Sequence, residues 1–384
     1  MNPLVALAAL TGLSVLVSLG LGEVALRVFD PSKIRSGWID AWELNFTKGK
    51  YSEANQLGFR GKPIDIADGD FVVVLIGDSQ VECFSCADHR LPEDALQKHL
   101  AEASGRDNVK VFSLGVSGYG ADQELLALQS YFSKGYRADM VVVWQTLGND
   151  LWNAIFPSHS TQFGAGHLKP TFRLDAQGKL IAPSRQIGET FCSSYLQCIY
   201  FIQRYGSIDG YWEQFLPPPA PPIGAPAPGD ATPIVETKDS IDYEKSPWSL
   251  WLEPSSERKR YSIALTRALY DEMRSEAARH GARFVLFDVD RSTDVGLAEL
   301  SKFPYFKREP QYVRFKDRLY RSGGIATYLA ASRELNEGFD FIMVAIDAPN
   351  HVVSVDDPHF NENGNDRVMS LVAGQMKARG WLGR

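Results

Sequence analysis

Ser79, Asn149 and His359 lie in short polar stretches, each just after a predicted strand or just before a predicted helix. The first stretch is FVVVLIGDSQVEC, residues 71–83, where the apolar run Val72–Ile76 leads into Gly77, Asp78 and Ser79. A serine hydroxyl becomes a nucleophile when a base removes its proton. His359 is the candidate base, because imidazole exchanges protons near neutral pH. Asp356, three residues ahead of it in DDPH, is the expected partner of the other ring nitrogen. Asp357, two residues ahead, is the alternative, at a spacing less suited to a tight turn. Acyl transfer also needs donors for an oxyanion, and three are at hand: the N–H groups of Ser79 and Gly118 and the Asn149 amide. Each stretch alone is ordinary, since Gly-Asp-Ser and Gly-Asn-Asp are turn sequences. Their order at successive strand ends is what points to chemistry. His89, His99, His159, His167, His280 and His351 read as surface or core residues.

The elements that must position these groups alternate. An apolar strand at 72–76 precedes LPEDALQKHLAEASG, where Pro92 suits a first helical position, Leu96, Leu100 and Ala103 share a face, and Gly105 stops the helix. VKVFSLG is the next strand, and it runs into Ser113-Leu-Gly-Val-Ser-Gly118. A helix with Leu125, Leu128 and Phe132 on its buried stripe follows, then the strand MVVVWQTL, which runs into Gly148-Asn149-Asp150. The rhythm resumes in a helix with Leu265, Leu269 and Met273 repeating every four residues, and in the strand ARFVLFDV. GIATYLA and FIMVAI are later strand candidates. Strands alternating with amphipathic helices imply an α/β fold with a doubly wound parallel sheet, and ligands bind such sheets beyond the carboxyl ends of the strands.

Between the halves lies an insertion, 156–255, with a proline-rich stretch at 217–233 holding eight prolines. Such a stretch can be neither helix nor central strand and is expected to be an extended, mobile loop. Trp152, Trp212, Trp248 and Trp251, in and around the insertion, could stack on sugars or belong to the core.

The chain of 384 residues carries 40 basic and 47 acidic side chains, a net charge of −7, which argues against a nucleic-acid partner. Its first 22 residues hold no ionisable side chain, and residues 4–22 read as a membrane helix within an anchor of residues 1–24. A cleaved signal peptide is the competing reading, disfavoured by the missing basic leader. Arg27, Lys33 and Arg35 follow the helix and by the positive-inside rule would place the body in the cytoplasm. Residues 25–70, with Trp38, Trp42 and Phe46, form a juxtamembrane segment, and 71–384 the body. The cysteines fall in two close pairs, Cys83/Cys86 and Cys192/Cys198. An even count behind a membrane leader is compatible with disulfides, whereas a lone C-x-x-C lacks the second pair that a zinc site needs.

Taken together, GDS at 77–79, LGVSG at 114–118, GND at 148–150 and DDPH at 356–359 resemble the blocks of the SGNH/GDSL hydrolase superfamily. The resemblance covers roughly residues 71–155 and 256–384. It implies a flavodoxin-like three-layer α/β/α fold, no metal or other cofactor, and cleavage or transfer of acyl esters. It places the nucleophile at Ser79, oxyanion donors at Ser79, Gly118 and Asn149, and the remaining catalytic pair at Asp356 and His359. Gln80 departs from the signature, which has Leu there, and the insertion is a second departure. A membrane helix, then Asn55-x-x-Gly-Phe-Arg-Gly61, then GDS looks like envelope SGNH proteins acting on surface polysaccharides. That likeness outweighs the flanking charges and places the body outside the cytoplasm, in the periplasm. The expected function is a membrane-anchored serine esterase removing acyl groups, acetyl among them, from a carbohydrate or related envelope ester. An O-acyltransferase using the same residues is the alternative, and a non-catalytic polysaccharide-binding or assembly protein is the third reading.

Overall fold

The computed structural model describes residues 2–29, 51–159, 167–183, 192, 194–238, 241, 244–245, 247–290, 310–346, 351–354 and 357–383. Helix α1 (Pro3–Phe29) is followed by strand β1 (Phe71–Gly77), the single turn α2 (Ser79–Glu82), α3 (Pro92–Ser104), β2 (Val109–Gly115), α4 (Ala121–Ser133), β3 (Met140–Trp144) and α5 (Leu147–Ile155). The insertion carries α6 (Tyr195–Tyr205), after which come α7 (Glu257–Arg279), β4 (Arg283–Asp290), α8 (Ile325–Asn336), β5 (Phe341–Ala345) and α9 (Glu362–Ala378).

The five strands form one parallel sheet in the order β2-β1-β3-β4-β5. This is the flavodoxin-like doubly wound order, whose topological switch point lies between β1 and β3. Side chains of β1 alternate between two cores, as the two-residue period of a strand requires. Val72, Val74 and Ile76 pack with Leu125, Leu128, Leu265 and Leu269 of α4 and α7, while Val73 and Leu75 pack with Leu96, Leu100, Val368 and Val372 of α3 and α9. Both faces are covered, so the strand reads as an unbroken apolar run. Each fully buried Val or Leu contributes about 1.5–3 kcal/mol relative to exposure.

Helix α3 stops at Gly105, as predicted, and Gly135 follows the end of α4, both glycines having positive φ. GIATYLA differs from expectation. It opens α8, with Tyr328, Ala331 and Leu335 buried at helical spacing, because a short apolar run does not by itself separate strand from helix. FIMVA is the strand β5. Helix α1 extends to Phe29, seven residues beyond the apolar run.

A second sheet joins Ile234–Glu236 and Leu252–Glu253 from the insertion to the hairpin Gln311–Phe315/Arg318–Ser322. The proline-rich stretch is extended, as expected, but it is tied down along its length. Ile223 bridges Leu319, the carbonyls of Pro217 and Pro218 accept from Arg258, and Ala220 is buried. Trp152, Trp212 and Trp251 are core residues. The side chain of Trp248, like Trp38, Trp42 and Phe46, lies outside the described residues.

Candidate active site

Asp78 turns the chain from β1 into α2 and is fully buried. Its Oδ1 accepts from the Gln80 N–H at 2.9 Å, capping the turn, and from the Thr146 hydroxyl at 3.1 Å. The turn lies tight against the sheet because Gly77 and Gly115 are register neighbours under Val81. A Cβ on either would fall 2.7 or 2.6 Å from the Val81 side chain. Ser79 thus stands at the carboxyl end of β1, beside the switch point.

His359 arrives from the far end of the chain, on the strand Asp357–Phe360, which pairs with Val352–Ser354. Its Nε2 lies 2.9 Å from Ser79 Oγ, across 280 positions of sequence. Its Nδ1 lies 2.5 Å from Asp357 Oδ1, and the same oxygen accepts the His359 backbone N–H at 3.1 Å. Among the described residues, the carboxylate that meets this nitrogen is Asp357. The expectation for that nitrogen was Asp356, which lies outside the described residues. A spacing of two works because the extended backbone folds the Asp357 side chain back over the following peptide. Phe84 meets the imidazole edge-on, with ring centroids 5.2 Å apart.

Phe360 anchors this strand: it is buried, stacks on Trp144, and donates its N–H to Gln80 Oε1 at 3.2 Å. Gln80 is thus a clamp between the turn bearing Ser79 and the strand bearing His359.

Gly118 has φ +79°, a left-handed conformation that glycine adopts without strain. Among the described residues, the N–H groups of Ser79 and Gly118 have no acceptor. Asn149, in the first turn of α5, donates one amide hydrogen to Asp78 Oδ2 at 2.8 Å. A primary amide has two hydrogens, so the second remains for the site.

Three residues without a role in the sequence reading hold these parts. Glu82, buried at the end of α2, accepts from the Ser117 N–H at 2.5 Å and from the Tyr51 hydroxyl, which fixes the loop before Gly118. Arg60, in the Asn55–Gly61 stretch, donates to the carbonyls of Glu82, Cys83 and Cys86 and to Asp88. That stretch also binds β2 directly, through Asn55 Nδ2 to the Ser113 carbonyl at 3.0 Å. Asn365 donates to both sulfurs of the Cys83–Cys86 disulfide, which closes the segment carrying Phe84. The signal that could have found Arg60 was its place in that motif; Glu82 carried none.

Behind the site two carboxyl groups lie fully buried, Glu124 on α4 and Asp150 on α5. Burial pushes both well above the usual carboxylate range, and the charge of Asp78 adds to the shift in each. Lys169 of the insertion pairs with Asp122 at the start of α4, both side chains being sealed from solvent. Other histidines do structural work: His99 pairs with Asp366, and His280 stacks on Phe132. His159 and His167 have side chains outside the described residues.

No protein-family model and no curated protein matches the chain. Among solved structures it is similar to TesA, at 12% identity and TM-score 0.35 over 80% of this chain and 98% of that one. It is similar to the psychrotrophic esterase EstA from Pseudoalteromonas sp., at 9% identity and TM-score 0.33 over 82% and 100%. It is also similar to the lipase/acylhydrolase from Enterococcus faecalis, at 12% identity and TM-score 0.34 over 80% and 96%. The fold class rests on the strand order and the site on its distances, not on these likenesses.

Proposed function

We propose that the chain is a serine esterase of SGNH type that cleaves acyl esters through an acyl-enzyme. The observation that carries this reading is the relay Ser79 Oγ–His359 Nε2 at 2.9 Å, with Asp357 on the opposite ring nitrogen. His359 takes the Ser79 proton as Oγ bonds to the ester carbonyl carbon. Negative charge then gathers on the carbonyl oxygen, where the N–H groups of Ser79 and Gly118 and the free hydrogen of Asn149 receive it. The imidazolium, held by Asp357, returns its proton to the departing alkoxide. Water, deprotonated by the same His359, then releases the acid and restores Ser79.

The proposed substrate is an acylated carbohydrate or related envelope ester, with acetyl as the expected acyl group. Helix α1, 27 residues with mean hydropathy 2.3 over its most apolar stretch and no burial there, supports a membrane anchor. The disulfides Cys83–Cys86 and Cys192–Cys198 support a body in an oxidising compartment outside the cytoplasm, against the flanking charges. The test is turnover of a chromogenic acetate ester by the purified chain, with and without oligosaccharide. Hydrolysis in water that is lost in Ser79→Ala is expected. Product that forms only with the oligosaccharide present would replace hydrolysis by O-acyl transfer. Full biological activity in Ser79→Ala would replace both by a binding role.

A further inference from the structure

Glu23, six residues before the end of α1, reaches the start of α6 in the insertion. Its two carboxylate oxygens accept the N–H groups of Tyr195 and Leu196, each at 3.1 Å, and Arg27 donates to it at 2.8 Å. The first N–H groups of a helix have no partner inside it, so this carboxylate satisfies two of them. Leu26 joins the apolar cluster of Cys192, Tyr195, Cys198 and Ile208, and the Cys192–Cys198 disulfide closes the chain around the entry to α6. The last turns of α1 are therefore packed into the body, while the apolar turns before them are not buried.

The segment that α1 touches is unusual on its outer side. Beyond α1, the large aromatic side chains more than half exposed among the described residues are Tyr200 at 53% and Phe215 at 54%. Both belong to the stretch 195–215. Phe201, Tyr205 and Tyr211 link them in a chain of ring contacts with centroids 5.1–5.8 Å apart. Arg204 donates to the Tyr200 hydroxyl at 2.9 Å and lies over the Tyr205 ring. The acids of the stretch face the body, Asp209 paired with Lys245 and Glu213 with Arg258. The outer edge is thus aromatic and cationic. Aromatic rings and arginine are the side chains that a lipid headgroup layer accepts.

Level matters as well. The run Pro3–Gly22 is 20 residues long. At 1.5 Å per residue it spans about 30 Å, the thickness of a bilayer's hydrocarbon core. Glu23 then sits at the edge of that core, and the start of α6, which Glu23 caps, lies at the same height.

We propose that α1 and residues 195–215 form one membrane-seating unit, in which α1 spans the bilayer and the Tyr200/Phe215 edge rests among the headgroups of the leaflet where α1 emerges. The proposal rests on the anchor reading of α1 and adds a second lipid contact, one that would hold the insertion against the membrane.

The test uses the full chain in vesicles of phosphatidylethanolamine and phosphatidylglycerol doped with a phospholipid carrying a photoactivatable diazirine near its headgroup. Adducts are mapped by peptide mass spectrometry after illumination. Adducts on α1 and on peptides of 195–215 are expected. In the doubly substituted Tyr200→Ser/Phe215→Ser chain the second set should be lost and the first kept, with near-ultraviolet circular dichroism reporting an unchanged body. Adducts on α1 and elsewhere on the body but not on 195–215, adducts on α1 alone, or a second set that survives the double substitution, would overturn the seating surface and leave the anchor standing. Absence of adducts on α1 would overturn the anchor reading itself.

Discussion

The side-chain amide of Asn149 donates to the carboxylate of Asp78 at 2.8 Å, and Asp78 also caps the turn that bears Ser79. One buried acid therefore sets both the nucleophile and the amide proposed to receive the oxyanion. Asn149→Ala is expected to lower kcat by about 10²–10³-fold, the usual cost of one oxyanion donor, with little change in KM. Steady-state kinetics on a chromogenic ester measures it. Unchanged kcat would remove Asn149 from the site.

Asp357 lies on His359 Nδ1. Asp357→Asn is expected to lower kcat by roughly 10⁴-fold, because the amide favours the wrong imidazole tautomer. Asp356→Asn should leave kcat within a small factor of the parent. Equal losses in the two variants, or the reverse order, would return the role to Asp356.

Gln80→Leu removes the 3.2 Å bond to the Phe360 N–H. Losing one such hydrogen bond costs about 0.5–1.5 kcal/mol. The expected outcome is a lower kcat with unchanged KM, since His359 is the neighbour of the released peptide. A drop in thermal stability with kcat intact would make Gln80 a purely structural residue.

Lys169 and Asp122 form an ion pair with no solvent exposure. Removing one partner of such a pair costs about 3–5 kcal/mol, because the other is left buried and unpaired. Lys169→Met should show this loss in urea unfolding, and the Asp122→Asn/Lys169→Met double variant should recover part of it. A double variant less stable than Lys169→Met would contradict the account.

Burial holds Glu124 above its usual range, so the folded chain binds a proton there that the unfolded chain releases sooner. Its contribution to stability is complete below the ordinary carboxylate range and fades as pH rises toward the raised value. Glu124→Gln keeps the neutral form at every pH. It is therefore expected to flatten the fall in melting temperature between mildly acidic and alkaline buffers. A variant whose pH profile parallels the parent's would mean that Glu124 is not the group responsible.

The frame was the most legible part of the molecule. Val72–Ile76 and Met140–Trp144 are buried on both faces and so wrote themselves as apolar runs, and the polar groups beyond them fell at the strand ends that the sheet order brings together. The Ser79–His359 contact, across 280 positions, was legible only from residue types taken together with their order at strand ends. What escaped depends on backbone path. Asp356 and Asp357 differ by one position, and spacing alone does not decide between two such carboxylates. Gln80 and Glu82 act through bonds to backbone groups distant in sequence, which leave no pattern to read. GIATYLA misled because its apolar run is too short to show its period.

Labelling with a fluorophosphonate probe, mapped by peptide mass spectrometry, tests the central claim most directly. The probe reacts only with a serine whose proton has a base to take it. Modification at Ser79 in the parent, lost in His359→Ala and strongly slowed in Asp357→Asn, is the expected result. Modification at another serine, or at Ser79 with equal speed in His359→Ala, would contradict it.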